Sequence, residues 1–178
     1  MKVIILSGIK EWIIKKNRSG PVVWQEIAQE LGFGAQQFNN QDNYASNERI
    51  ERFFQAICDK MFIERKNFEN QFIQFWMTDF APRLYQSLTS KATDSKDFLM
   101  QVTRMNNEVV ALFPDNKNIS RIDVSEKNDY TLVAVYASEK SLIDIIGILR
   151  VVSGIFQNTF NIKKINPHSA EIIFDNNK

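Results

Sequence analysis

Cys58 and His168 are the only cysteine and the only histidine in the 178-residue sequence. Together they could make a thiol–imidazole nucleophile, which needs a base within hydrogen-bond reach of the sulfur. Cys58 borders the apolar face of its predicted helix, where a free cysteine behaves as a small hydrophobe. No G-x-S-x-G, H-E-x-x-H, G-x-G-x-x-G or P-loop pattern occurs, and each of those is tied to a specific chemistry. The carboxylates are scattered and mostly neighboured by Lys or Arg, as on an ordinary surface. These residue types predict that the chain is not an enzyme. Lys10, Lys15, Lys16 and Arg18 form one basic cluster. It is either an anion site or a solvated helix end where cations complement the C-terminal dipole.

The stretch FLMQVTRMNNEVVALFP, Phe98 to Pro114, sets an amide where burial is expected. At about 100° per residue, Phe98, Leu99, Val102, Met105, Val109, Val110, Leu112 and Phe113 share one helical face. Asn106 projects into that face, between Phe113 and Leu99, and Asn107 points the other way, towards polar neighbours. Asn106 is thus either a hydrogen-bonded core amide, as buried amides require, or a side chain facing a pocket.

Composition bounds the rest. An apolar fraction of 44% marks a folded globular chain, and 178 residues suffice for one domain with a real core. The 14 Phe, 3 Trp and 4 Tyr suit a thick core or a lined cavity. A formal net charge of +1 does not suggest the basic surface that nucleic-acid binding needs. One cysteine excludes an internal disulfide and a cysteine-based zinc cage. No apolar run reaches the roughly 18 residues of a membrane span, and MKVIIL is too short for a signal peptide core. A cytoplasmic protein is expected.

The elements that must position these residues can be read from periodicity and breakers. Val3 to Lys16 reads as a helix, and Ser19, Gly20 and Pro21 open a second that stops at Gly32. Phe33 to Asn43 is a polar loop. Ser46 can cap a third helix to about Phe62, with Ile50, Phe53, Phe54, Ile57 and Met61 on one side. Phe68 to Met77 is a fourth, aromatic segment, and Phe80 to Leu88 a shorter helix broken near Pro82. After the Phe98–Pro114 helix, Ile119 to Val124 and Tyr130 to Tyr136 form a hairpin about Glu126–Asp129. Glu139 to Gln157 is helical and apolar almost all round, which predicts packing on more than one side, between the sheet and the helical half. Gly147 and Gly154 share a face there. They imply either tight packing on the sheet or a flat ligand lying against the backbone. Phe160 to Ile165 and Ala170 to Phe174 close a second hairpin about Asn166–Pro167. The outline is a single α+β domain, residues 1–178: a mainly helical part, 1–113, then a β-β-α-β-β part, 114–178, with a four-stranded antiparallel sheet.

Two segments resemble the haem-nitric oxide/oxygen-binding (H-NOX) family, the sensor domain also found in soluble guanylate cyclases. In the family the first, FLMQVTRMNN, carries an FL-x6-H-like pattern whose histidine is the proximal haem ligand; Asn106 stands at that position. The second is YASEK, Tyr136 to Lys140, where the family has Tyr-x-Ser-x-Arg holding the haem propionates. Tyr136 and Ser138 match, and Lys140 stands for the Arg. The order of elements matches too, so the resemblance spans nearly the whole chain. It implies an H-NOX-like fold, a pocket for haem or another flat apolar ligand, gas sensing, and a signalling partner such as a histidine kinase or cyclase.

The departures bear on the chemistry. An imidazole nitrogen is a good iron ligand. A carboxamide is a poor one, its nitrogen lone pair delocalised and its oxygen hard and neutral, so haem would lack its usual histidine bond. Lys140 keeps positive charge but loses the two-pronged fit to a carboxylate. Alternatively Tyr136 ends a strand, Ser138 caps a helix and Lys140 is solvated. The resemblance puts Ile145 where some members have a distal Tyr that hydrogen-bonds oxygen, and an apolar side chain disfavours oxygen carriage. Trp76 falls near a position that is Gly in the family. Three readings follow: a sensory H-NOX-type module with its haem chemistry altered, a haem-free interaction protein whose pocket is filled by Phe and Trp side chains, or an enzyme built on Cys58.

Overall fold

The computed structural model describes residues 3–32 and 47–175. The expected polar loop from Phe33 to Asn43 and the Ser46 cap lie outside the described residues. The chain divides into two compact units, Met1–Phe80 and Ala81–Lys178.

The first unit holds α1 (Val3–Lys16), α2 (Gly20–Glu30), α3 (Asn47–Met61), α4 (Arg65–Phe75) and a π-helical turn, Trp76–Phe80. Pro21 sits in the first turn of α2, where its missing N–H costs nothing. A Cβ on Gly20 would lie 2.5 Å from the Ile14 Cα and 2.7 Å from the Ile13 carbonyl oxygen. Only glycine lets α2 start so close against α1. Beyond α2, Gly32 takes a left-handed φ of 64° and ends the helix as expected. Phe53, Phe54 and Ile57 of α3 are fully buried, and Ile50 and Met61 at its ends are half-buried. The aromatic residues go into a thick core. Phe54, Phe68, Phe72, Trp76 and Phe80 contact in series, with ring centroids 5.2–6.1 Å apart, and Trp12 meets Phe68 edge-on at 5.2 Å. The serial rings are tilted or offset-stacked, with planes 22–51° apart, arrangements favoured over a face-to-face sandwich.

The second unit holds α5 (Ala81–Thr89), α6 (Ser95–Leu112), β1 (Ile122–Asn128), β2 (Thr131–Tyr136), α7 (Glu139–Phe156), β3 (Phe160–Asn166) and β4 (Ser169–Phe174). Helix α5 is not broken at Pro82: the proline is its second residue, directly after the π-helical turn, and the helix continues to Thr89. Helix α6 begins ahead of Phe98. Asp94 accepts from the Asp97 N–H at 2.7 Å, and the Asp97 carboxylate accepts from the Thr93 N–H at 3.0 Å, a reciprocal cap. Hydrogen bonds from Gln101 and from Thr93 hold the Asp97 carboxyl below its ordinary pKa. The first hairpin turns later than Glu126–Asp129. Strand β1 runs through to Asn128, with a register shift between Glu126 and Asn128. The Asn128 carboxamide oxygen accepts from the Tyr130 N–H at 3.0 Å, an Asx turn that tightens the reversal.

The sheet order is β1-β2-β4-β3, every pair antiparallel. Leu132, Ala134 and Tyr136 of β2 and Ala170, Ile172 and Phe174 of β4 turn to one face, where they pack with Leu99 of α6 and Leu142, Ile145 and Leu149 of α7. Helix α7 is less enclosed than its composition predicts. Ile143 and Ile155 are exposed, as are Gly147 and Gly154. A Cβ on either glycine would meet nothing within 4 Å, so tight packing on the sheet does not explain them.

Asn107 meets polar partners, and these are chiefly backbone groups of β1. Its carboxamide oxygen accepts from the Ile122 N–H at 2.9 Å, and its Nδ2 donates to the Ile122 carbonyl at 2.6 Å. Strand β1 is an edge, and an edge strand leaves outward N–H and C=O groups in need of partners. One amide satisfies both and ties α6 to β1. Asn107→Ala is expected to destabilise the protein by about 1–2 kcal/mol, two modest hydrogen bonds less the water that replaces them. Urea unfolding checks this, and an unchanged midpoint would remove the clamp.

Candidate functional site

Tyr136 closes β2, and alternation along the strand turns its side chain to the helix-covered face, with only 3% of its surface exposed. Its hydroxyl is buried and has no hydrogen-bond partner among the described residues. A phenol oxygen held dry without a partner loses the hydrogen bonds water gave it. It is therefore suited to a polar group brought in by something else. Ser138 is the N-cap of α7: its Oγ accepts from the Ser141 N–H at 3.3 Å and pairs with the Ser141 hydroxyl at 3.0 Å. Lys140 is exposed on the first turn of α7. The YASEK segment thus contributes a fully buried phenol, a serine engaged as a cap, and a solvated cation.

Asn106 lies on α6, half-buried, and donates from Nδ2 to the Tyr85 hydroxyl of α5 at 3.3 Å. Tyr85 is half-buried as well and meets Phe98 edge-on, centroids 6.1 Å apart. Burial pushes the Tyr85 phenol above its ordinary pKa, against the Asn106 hydrogen bond, and the negative charge of Asp144 adds to the rise. The Tyr85 oxygen therefore stays protonated at neutral pH and accepts the amide proton. Ile145 has no exposed surface and belongs to the core against the sheet, the same cluster as Tyr136. Gly147 presents bare backbone with open space above it.

Cys58 is buried in α3, and desolvation raises its thiol pKa, outweighing the opposing charge of Arg65. A thiol kept protonated is a poor nucleophile. His168 is exposed in the turn between β3 and β4. In the basic cluster, Lys15 pairs with Glu11 at 3.2 Å and with Asp79 at 2.7 Å. Lys15 and Lys16 occupy the last turn of α1, where the helix dipole favours them. Among the described residues no group of three or more His, Cys, Asp or Glu could hold a metal ion. No helix among them is long and apolar enough to cross a membrane.

Two residues of this neighbourhood escape sequence reasoning. Tyr85 comes from a different helix than Asn106 and carries no local signal. Lys164 lies beside Tyr136 in space although 28 positions away in the chain. Alternation along β3, which turns Phe160 and Ile162 inward, was the signal that could have placed it.

The sequence model of a family described as Haem-NO-binding matches residues 2–164 of the chain. Similar solved structures include a Cs H-NOX variant carrying 4-cyano-L-phenylalanine at site 5, with 13% identity, 99% of this chain and 97% of that one covered, and a TM-score of 0.43. An H-NOX protein from S. oneidensis in the Fe(II)NO ligation state has 15% identity, 98% coverage of each chain and a TM-score of 0.41. An oxygen-binding H-NOX domain related to soluble guanylate cyclases has 14% identity, 99% and 96% coverage and a TM-score of 0.41. No curated protein matches.

Proposed function

The chain belongs to the haem-NO-binding (H-NOX) family, and from that premise we propose a sensory module that takes a flat apolar ligand bearing a carboxylate, haem or a relative of it, without a histidine–iron bond. The residues fit one end of haem and not the other. Tyr136, with its dry unpartnered hydroxyl, suits a propionate. Ser138 is engaged as the cap of α7 and Lys140 is exposed, so the propionate end rests on Tyr136, and Gly147 leaves bare backbone for a flat face to lie against. At Asn106 the donor set fails: its amide is a weak donor to iron and already hydrogen-bonds Tyr85. Haem, where bound, supplies the gas-binding iron. This chain's own residues grip its carboxylates and exclude water. Signalling passes to a partner such as a histidine kinase or cyclase.

The Tyr136 hydroxyl carries this reading, because a buried phenol without a partner calls for one from outside. Titration of the purified protein with protoporphyrin IX and with its dimethyl ester tests it. The diacid is expected to bind about tenfold tighter, the worth of one good charge-assisted hydrogen bond. Equal affinity, or none for either, defeats the proposal. A second reading, a haem-free interaction protein, draws on Trp76, which has no exposed surface and packs against Phe72, Phe80 and Gly8. It predicts no thermal shift with either tetrapyrrole.

A further inference from the structure

Between the N-terminus of α7 and the turn joining β3 to β4 lies a pocket of about 450 Å³, lined by Tyr136, Glu139, Lys164, Ile165, Asn166 and Pro167. That volume is within the range of about 300–1,000 Å³ usual for small-molecule sites. The sheet supplies one wall of it. Alternation puts Lys164 on the same face as Phe160 and Ile162, opposite Ala170, which in turn pairs with Ala134. Both alanines are buried in the core, and the pocket lies beyond them, bounded by Tyr136, two residues past Ala134 on β2, and by Lys164 with its ammonium. That ammonium donates to a Glu139 carboxylate oxygen at 2.6 Å. Lys140 does not line the pocket and makes no ion pair among the described residues.

We propose that Lys164, rather than Lys140, supplies the cation for a carboxylate-bearing ligand at Tyr136, and that Glu139 is a built-in competitor occupying the place that carboxylate would take. Two observations support this independently. The Tyr136 hydroxyl is buried and unpartnered beside the same pocket. The Lys164–Glu139 pair is exposed, its side chains 57% and 71% accessible, and exposed pairs of this kind contribute little and exchange readily. The interaction runs both ways: Glu139, followed by a smaller contribution from Tyr136, raises the Lys164 pKa, and Lys164 lowers that of Glu139. An incoming carboxylate gains what Glu139 gives up, plus a hydrogen bond from the phenol. The chemistry is that of a carboxylate, from a free small acid or from the edge of a larger apolar ligand. The inference deepens the tetrapyrrole reading above but does not stand on it alone.

The experiment titrates the ¹⁵N-labelled protein with sodium propionate, followed by amide shifts, beside protoporphyrin IX binding. Saturable shifts are expected at Tyr136, Glu139 and Asn166. Glu139→Gln is expected to tighten propionate binding by about fivefold, the scale of an exposed ion pair. Lys164→Met and Tyr136→Phe should abolish it with the remaining amide spectrum intact, and Lys140→Met should leave it unchanged. Loss in Lys140→Met with retention in Lys164→Met overturns the assignment. So does an unaltered affinity in Glu139→Gln, or the absence of saturable shifts in that variant. Propionate binding without protoporphyrin binding defeats only the tetrapyrrole reading. Protoporphyrin binding indifferent to Lys164→Met defeats only this one.

Discussion

Replacing Asn106 with histidine is expected to raise hemin affinity by about tenfold or more, each factor of ten being worth about 1.4 kcal/mol. The resemblance implies that position 106 is the iron-binding one, and helix α6 carries it near Phe98, Leu99, Val102 and Met105, all buried. An imidazole nitrogen binds iron where a carboxamide does not. Asn106 is half-buried and donates to the Tyr85 hydroxyl, whose protonated oxygen can accept from an imidazole N–H as it does from the amide. Such an outer partner fixes the ring tautomer and leaves the other nitrogen for the metal. Asn106→Ala, which removes the amide without adding a ligand, should gain nothing. Absorbance titration with hemin reads the affinity, and the ferrous nitrosyl spectrum reads the bond. A histidine variant that folds normally and gains no affinity shows that position 106 does not face the iron.

Much of the architecture was legible because it is local. Helix α1 begins and ends at Val3 and Lys16 as periodicity predicts, and Gly32 stops α2 by its left-handed φ. The β-β-α-β-β order follows from two apolar alternating pairs around a long apolar segment. The misplaced boundaries share one cause. The turn of the first hairpin is set by the Asn128 side chain, and the start of α6 by Asp94 with Asp97, and such side-chain–backbone bonds outweigh propensity at element ends.

The site was legible only as separate positions. Tyr136 and Asn106 were singled out through the resemblance; Tyr136 is buried and Asn106 half-buried. Their partners are set by tertiary register. Tyr85 meets Asn106 because α5 packs on α6, and Lys164 and Tyr136 line one pocket because β4 seats β3 beside β2. Asn107 was read as facing polar neighbours, and tertiary register makes these the backbone groups of edge strand β1. The glycines of α7 were read as marking a close approach, and none is present: a Cβ at Gly147 or Gly154 would meet nothing within 4 Å.

Trp76→Ala is expected to cost about 3–5 kcal/mol of stability, as large aromatic-to-alanine truncations in cores do. Trp76 has no exposed surface and sits in the π-helical turn, 5.2 Å from the Phe80 ring and 6.1 Å from that of Phe72. Gly8 of α1 is shaped to it: a Cβ there would come within 3.1 Å of the indole. Rings and backbone so closely fitted can relax only in part, so the truncation leaves a cavity. Apolar cavities of this kind stay dry and take apolar guests. Added indole should therefore restore part of the loss by mass action, which a merely misfolded variant would not show. Urea unfolding with and without indole measures both effects. The same variant separates the two functional readings. If the Trp76 side chain fills space that a macrocycle needs, truncation raises protoporphyrin affinity while lowering stability. If Trp76 is only a core residue, stability falls and affinity stays where it was.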